Sequence, residues 1–330
     1  MKILITGAAG FVGSHAVHYF LKNTDSTIVA IDSFRHKGDS VRLQDVKEHN
    51  RLTVHTHDLS APLSAKLGSD FDFILNIASD SHVERSITDP VPFVENNVKL
   101  ALNVLEFARK QRSLRALIQC STDEVFGPAP VGYAHKEWEI QLPSNPYSAS
   151  KAAQDAIAFS YWRTFGVPII ITHTMNMFGP MQDTEKFIPK VIAKVLHGDT
   201  VEIHGTRHCL GSRMYLHTEC LVDAWNFLMR ETTPRTYHRG EVGIQFPDKY
   251  NIVGEAEVNN LELAEKIASI MRKPLSYEFI DFHSTRPGHD LRYALDGTKM
   301  REAGWRHPIS FDTALESTVK WYLENPEWLI

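Results

Sequence analysis

Lys2-Ile3-Leu4-Ile5-Thr6-Gly7-Ala8-Ala9-Gly10-Phe11-Val12-Gly13 heads the chain, and its reading decides the fold. The run over 2–6 is short, apolar and rich in β-branched residues, which predicts a buried strand. Residues 11–22 follow with Val12, His15, Ala16 and Phe20 spaced for one helical face. Between strand and helix stand three glycines, Gly7, Gly10 and Gly13. Glycine permits a tight turn and a close backbone approach to a pyrophosphate. The helix N-terminus behind it offers unpaired N–H groups and roughly half a positive charge. A glycine trio is equally plain turn chemistry, so its surroundings must decide.

Working outward, the same rhythm continues. Runs over 27–32, 52–57, 71–77, 114–120 and 168–173 read as strands. Residues 92–111, with Val94, Val98, Ala101, Leu102 and Leu105 at helical spacing, and 147–165 read as helices. Alternating β and α units predict an α/β fold, a Rossmann-type doubly wound parallel sheet covered by helices on both faces. Such sheets bind ligands at the carboxyl ends of their strands. Beyond His173 loops lengthen, with Gly179-Pro180, Gly198-Asp199 and Pro287-Gly288 as breakers. The expected division is a cofactor-binding domain over 1–182, rejoined by a helix at 218–230 and a strand at 250–253 within 216–253. A smaller interleaved α/β substrate-binding lobe is expected from 183–215 and 254–330. A strand-like insert is expected over 241–246.

Composition narrows the function classes. Of 330 residues, 43% are hydrophobic and 23% charged, which argues against disorder and fibrous repeats. The net charge of −5, from 35 basic and 40 acidic residues, argues against a general nucleic-acid or anionic-membrane binder. Three cysteines without a C-x-x-C pair argue against a disulfide framework or zinc ribbon and suit a reducing compartment. No apolar run approaches the roughly eighteen residues of a membrane span, and the N-terminus carries no signal-type core. A cytoplasmic protein is the expectation.

Asp32 ends the second predicted strand, where an acid can accept hydrogen bonds from a ribose and repel a 2′-phosphate. This favours NAD over NADP, with Arg35 nearby as the opposing signal. Asp58 and Leu59 end the third strand, either facing an adenine or making a turn. Tyr147 and Lys151 lie four apart at a helix start, hence on one face. An ammonium beside a phenol favours the phenolate, and a positive nicotinamide ring adds to this, so Tyr147 is expected to act as a base near neutral pH. Ser121-Thr122-Asp123-Glu124 follows the fifth strand and supplies hydroxyls and two adjacent carboxyls. Two close carboxyls ionise separately, one suited to acid and one to base work; Ser/Thr before acids is also helix-cap chemistry.

Gly7-x-x-Gly10-x-x-Gly13, Ser121-Thr122-Asp123-Glu124-Val125-Phe126-Gly127 and Pro146-Tyr147-Ser148-Ala149-Ser150-Lys151 together resemble the extended short-chain dehydrogenase/reductase family. Within it they resemble the NDP-glucose 4,6-dehydratases. Ser81-His82-Val83-Glu84-Arg85-Ser86, Asn176-Met177-Phe178-Gly179-Pro180, Glu185-Lys186-Phe187-Ile188-Pro189 and Arg286-Pro287-Gly288-His289-Asp290-Leu291-Arg292-Tyr293 extend the likeness to about residue 328. The Thr-Asp-Glu triplet is the subfamily signal, since related epimerases usually lack the acid pair. The resemblance implies a lyase of deoxysugar biosynthesis acting on a sugar nucleotide, dTDP- or UDP-glucose. It implies C4 oxidation by Tyr147 with Thr122 and NAD, C5 deprotonation by Glu124, loss of the 6-hydroxyl as water with Asp123 as acid, and hydride return to C6. Tyr147 and Lys151, with Gly7, Gly10, Phe11, Val12, Gly13, Asp32, Asp58 and Leu59, would hold the cofactor. Asn176, Lys186, Arg213 and Arg286 would hold the diphosphate. Ser81, Glu84 and Arg85 would contact the sugar or brace their loop. His82 and His289 read as structural rather than catalytic, His289 within the substrate-binding set. A homodimer through 92–111 and 147–165 is implied as well.

Some positions depart from the pattern. Arg213-Met214-Tyr215 stands for an Arg-Asp-Trp-type segment, Cys220 for an acid, and Leu100-Ala101 for a small Gly-Thr pair. Base identity and the role of Arg213 are therefore open. Among 17 histidines, His55 and His57 alternate and His204, His208 and His217 cluster in sequence, but no metal site is expected. The alternatives are an NDP-sugar 4-epimerase of the same superfamily, which would lose no water, and a non-catalytic NAD- or sugar-nucleotide-binding regulator.

Overall fold

The computed structural model describes residues 1–330 except 36, 208, 239, 241, 242, 244 and 281–291. The first half runs β1 (Lys2–Thr6), α1 (Phe11–Asn23), β2 (Thr27–Asp32), β3 (Leu52–Thr56), β4 (Phe73–Asn76), α2 (Val83–Thr88), α3 (Pro90–Ala108), β5 (Ala116–Thr122) and α4 (Pro146–Phe165). Next come β6 (Ile169–Thr174), β7 (Asn176–Phe178), α5 (Phe187–His197), β8 (Val201–Thr206), β9 (Cys209–Leu210), β10 (Ser212–His217) and α6 (Thr218–Glu231). The remainder is β11 (Asp248–Ile252), β12 (Glu257–Asn259), α7 (Asn260–Met271), β13 (Tyr277–Ile280), α8 (Thr298–Glu302) and α9 (Phe311–Glu324).

Seven strands form one sheet in the order β11-β6-β5-β4-β1-β2-β3. Every pairing in it is parallel. A parallel sheet buried on both faces reads as nearly continuous apolar runs, and Ile3, Leu4 and Ile5 are all fully buried. Their side chains alternate. Ile3 and Ile5 join Phe20 of α1 and Leu221 and Trp225 of α6, while Leu4 joins Val104 and Leu105 of α3 and Tyr161 and Trp162 of α4. Strand order reverses between β1 and β4, and the crevice there opens at the strands' carboxyl ends. This is the predicted doubly wound fold, with β11 returning to its edge beside β6.

Smaller sheets stand apart: β12-β10-β7 and β13-β8-β9. A separate apolar cluster gathers Ile188 and Ile192 of α5, Ile203 of β8, Leu263 and Ile267 of α7, and Val319 and Tyr322 of α9. Helix α2 was not predicted: six residues are too few to show a helical period. The described residues of the expected strand-like insert, 243, 245 and 246, are not in a strand. Glu241, Val242 and Ile244 lie outside the described residues. Cys220, in place of the family acid, is core: it is buried with its Sγ on the Ile309 carbonyl at 3.6 Å.

Candidate active site

The loop from β1 into α1 is packed too tightly for side chains at two of its glycines. Gly7 has φ +66°, and a Cβ there would lie 2.9 Å from Ala78 Cα. A Cβ on Gly13 would overlap the Gly7 carbonyl. Gly10 N–H donates to Gly7 O at 3.0 Å and closes the turn. Gly13→Ala gains about 1 kcal/mol of helix propensity. The overlapped atom is backbone and cannot swing aside, so the strain lies at the upper end of about 1–3 kcal/mol and wins. A lower midpoint of thermal unfolding is the expected result; an unchanged or raised midpoint would contradict the packing.

Asp32 is buried at the end of β2. Ala9 N–H donates to its Oδ2 and Phe34 N–H to its Oδ1, each at 2.9 Å, so the loop itself orients the acid. Arg35 pairs with Asp58 beyond β3. The Leu59 carbonyl accepts from Asn103 Nδ2 at 2.7 Å. Gly7, Gly10, Phe11, Val12, Asp32, Asp58 and Leu59 all line one cleft of about 600 Å³. A bare glycine turn, a helix N-terminus and a fixed ribose-level acid fit a dinucleotide.

The same cleft is lined by Thr122, Asp123, Glu124, Tyr147 and Lys151. β5 ends at Thr122, whose side chain caps the single turn Asp123–Phe126 by accepting from Glu124 N–H at 3.4 Å. Thr122 Oγ1 also donates to Asp123 Oδ1 at 2.9 Å. Asp123 is 3% exposed, and its Oδ2 has no hydrogen-bond partner among the described residues. Burial first, and the Glu124 charge second, push the Asp123 carboxyl up to about 7, against Thr122 and Arg213, which pull it down. Asn145 Nδ2 holds Glu124 Oε2 at 3.2 Å. Two adjacent carboxyls are thereby divided, one inclined to keep its proton at neutrality.

Tyr147 and Lys151 lie on the first turns of α4. Asn145 and Ser148 form a reciprocal capping box at its start, and Ser86 Oγ accepts from Tyr147 N–H at 3.1 Å. Phe93 meets the Tyr147 ring edge-on at 6.3 Å. In the protein alone the net push on the Tyr147 phenol is upward. Burial, then Glu124, raise Tyr147 well above its ordinary value, and a hydrogen bond with Thr122 opposes them. Burial pushes Lys151 down. Its Nζ donates to Cys120 O and Gln154 Oε1, both at 2.7 Å.

Of the substrate-binding candidates, Ser81, Arg85, Asn176 and Lys186 line the cleft. Lys186 stands just before α5; burial lowers its pKa, and Glu124 is the largest opposing influence. Arg213 on β10 stacks over Tyr293 at 4.7 Å and donates to Ser212 O at 2.7 Å. Glu84 sits in the first turn of α2. His82 accepts from Arg85 N–H to cap α2, and its Nε2 is 3.1 Å from Glu185. Lys37 reaches Asp183 at 2.6 Å and Glu185 at 3.2 Å, completing a chain of charges beside the cleft. Leu100 lines the cleft where relatives were expected to carry a smaller residue. Arg286 and His289 lie outside the described residues, as does His208. Among the described residues no group of three or more His, Cys, Asp or Glu is placed to hold a metal ion. Sequence reasoning missed Asn145, Ser86 and Gln154. Asn145 before Pro146 is a legible helix cap; Ser86 closes the Ser81–Ser86 run but its contact with Tyr147 is not readable there, and Gln154 carries no local signal.

Residues 4–318 match the model of the GDP-mannose 4,6-dehydratase family. The chain belongs to this family. It is 36% identical to the dTDP-glucose 4,6-dehydratase of Salmonella typhimurium, across 100% of this chain and 94% of that protein. It is 37% identical to the low-salt glycan biosynthesis protein Agl12 of Haloferax volcanii, across 99% and 100%. The crystal structure of DesIV, a dTDP-glucose 4,6-dehydratase from Streptomyces venezuelae with NAD and TYD bound, superposes with a TM-score of 0.85 at 32% identity, covering 99% of this chain and 98% of that one. For a 4,6-dehydratase family member the divided carboxyl pair has a chemical meaning: an elimination needs a base for the carbon-bound proton and an acid for the leaving hydroxyl.

Proposed function

We propose that the chain is an NAD-dependent NDP-glucose 4,6-dehydratase that converts dTDP- or UDP-glucose to the 4-keto-6-deoxy sugar nucleotide. The observation that carries this reading is the Asp123–Glu124 pair in one cleft with Tyr147 and the glycine turn. The dTDP-glucose dehydratase relatives and the NAD in the Streptomyces structure support the substrate class and the cofactor. Arg35, the cation that would favour a 2′-phosphate, is engaged by Asp58, which supports NAD over NADP.

The glycine turn and Asp32 would hold the cofactor, with Tyr147 and Lys151 in the same cleft. NAD, when bound, supplies reversible hydride acceptance. Tyr147, hydrogen-bonded to Thr122, takes the proton of the sugar 4-hydroxyl. Glu124 takes the C5 proton once the neighbouring carbonyl has acidified it. Asp123 gives its proton to the departing 6-hydroxyl. Lys186 and Arg213, with Asn176 and Arg286, neutralise and orient the diphosphate; Ser81, Glu84, Arg85 and His289 complete the substrate side. Segments 183–215 and 254–330 are taken as the substrate lobe, and 1–182 with 216–253 as the cofactor domain.

Incubation with dTDP-glucose and UDP-glucose should give a product lighter by one water, read by mass spectrometry. A product of unchanged mass with inverted C4 would make the chain an epimerase, and binding without turnover a regulator. The acid role of Asp123 carries a pH dependence. Its carboxyl holds the proton below about 7 and loses it above, so the dehydration rate should fall as pH rises through that value. In Asp123→Asn that limb should vanish together with about 10²–10⁴ of the rate. A wild-type profile flat across neutrality would remove Asp123 as the acid.

No helix among the described residues is long and apolar enough to cross a membrane. Free thiols at Cys120 and Cys220 support a reducing, cytoplasmic setting. We place a homodimer contact on α3 and α4, where Val91 and Phe165 are exposed.

A further inference from the structure

Thr6, Asn76, Gln119 and Gln154 are each 2% exposed or less, in the middle of a parallel sheet and its covering helix. None belongs to the proposed chemistry, and buried amides are costly unless fully hydrogen-bonded. Register explains their meeting. Thr6 pairs with Asn76 across β1 and β4, and Asn76 with Gln119 across β4 and β5. Three polar side chains thus stand in a row across one face of the sheet, and α4 lays Gln154 and Lys151 over it.

We propose that Gln154 is the positioning residue for Lys151, and that a one-way hydrogen-bond chain beginning at the phosphate loop fixes its orientation. Gln154 Nε2 donates to the Asn97 carbonyl at 2.7 Å. A carbonyl can only accept, so Gln154 must turn its oxygen to Lys151 Nζ, at 2.7 Å. Gln119 Nε2 donates to that same oxygen at 3.1 Å. Its own oxygen therefore accepts from Asn76 Nδ2, at 2.7 Å. Asn76 Oδ1 accepts from the Thr6 hydroxyl at 3.1 Å, and that hydroxyl accepts from Ile77 and Ala78 N–H at 3.0 and 3.2 Å. Backbone groups anchor both ends, so no amide in the chain can flip without breaking two bonds. Asn97 is braced in turn, its Nδ2 donating to Ser150 Oγ at 2.9 Å and to Asp80 O at 3.0 Å.

The consequence is electrostatic. A fixed carbonyl oxygen faces a buried ammonium, as water would at the surface, and favours its charged form. The titratable groups acting on Lys151 are Cys120 at the end of β5 and Asp155 on its own helix; Tyr147, Asp123 and Glu124 line the same cleft, His173 on β6 is held by Asp155 at 3.2 Å, and Asp80 lies beyond Asn97. Cys120 and Asp155 push the ammonium in the same direction as Gln154, and burial opposes all three.

The inference deepens the proposed reaction and rests on it, because a charged Lys151 beside Tyr147 favours the phenolate that takes the 4-hydroxyl proton. Gln154→Leu keeps the bulk and removes the acceptor. In the cofactor-free protein, the Lys151 titration, followed by NMR of labelled lysines and assigned by difference from Lys151→Met, should move down by about one pH unit or more. With dTDP-glucose, kcat should fall about tenfold or more and its acid limb shift, with KM little changed. Gln154→Glu retains the acceptor, adds charge, and should move the titration up; it also serves if the leucine variant fails to fold. An unmoved Lys151 titration in either folded variant overturns the proposal. A wild-type chain that dehydrates no NDP-glucose, with the titration moved as stated, overturns the reaction and leaves the Gln154–Lys151 coupling standing.

Discussion

Glu124→Gln is expected to cut turnover of dTDP-glucose by about 10²–10⁴-fold, the range for removal of a general base, while the reduced form of the cofactor accumulates. The substitution keeps the side chain's shape and leaves an oxygen for Asn145 Nδ2, which holds Glu124 Oε2 at 3.2 Å in the parent. It removes the basicity needed at C5. It also removes a negative charge that raises both Tyr147 and Asp123. The phenol therefore becomes easier to ionise, and oxidation at C4 is spared or helped. The cycle stalls between oxidation and elimination. Near-ultraviolet absorbance of the reduced nicotinamide, together with loss of solvent deuterium uptake at C5, reads this directly. Normal turnover, or lost turnover with no reduced cofactor, would assign the C5 proton to another group.

Tyr147→Phe is expected to cost as much, about 10²–10⁴-fold, but with no reduced cofactor at any time. The phenol is the one group in the proposed cycle that takes the 4-hydroxyl proton. The ring packs edge-on against Phe93, the Tyr147 N–H bonds Ser86, and neither contact uses the hydroxyl. Folding and sugar-nucleotide affinity should therefore persist, which calorimetric titration with dTDP-glucose would check. Retained oxidation in this variant would transfer the base role elsewhere in the cleft. The two variants stop the reaction on opposite sides of the ketone, so only their contrast tests the order of steps. The protein alone raises Tyr147, so the positive nicotinamide expected beside it would act against burial and the Glu124 charge.

The doubly wound sheet was legible because the central strands of a parallel sheet carry apolar residues on both faces, as Ile3-Leu4-Ile5 shows. The placements of the glycine turn after β1, of Asp32 at the end of β2 and of Tyr147 and Lys151 at the start of α4 were legible because they follow from local spacings and strand ends. Asp123 and Glu124 were legible by residue type only as a pair, and the resemblance alone assigned acid to the first and base to the second. By residue type either could be acid or base, and what separates them is burial, which no local pattern reports. The same limit hid Ser86, which meets Tyr147 from 61 positions away, and Gln154, which meets Gln119 across 35. Sequence by itself determined which chemical groups stand at the carboxyl ends of which strands. Tertiary structure decided which carboxyl keeps its proton, which way the phenol is pushed and what orients the lysine, because desolvation and hydrogen-bond direction depend on residues brought together through strand register and helix packing.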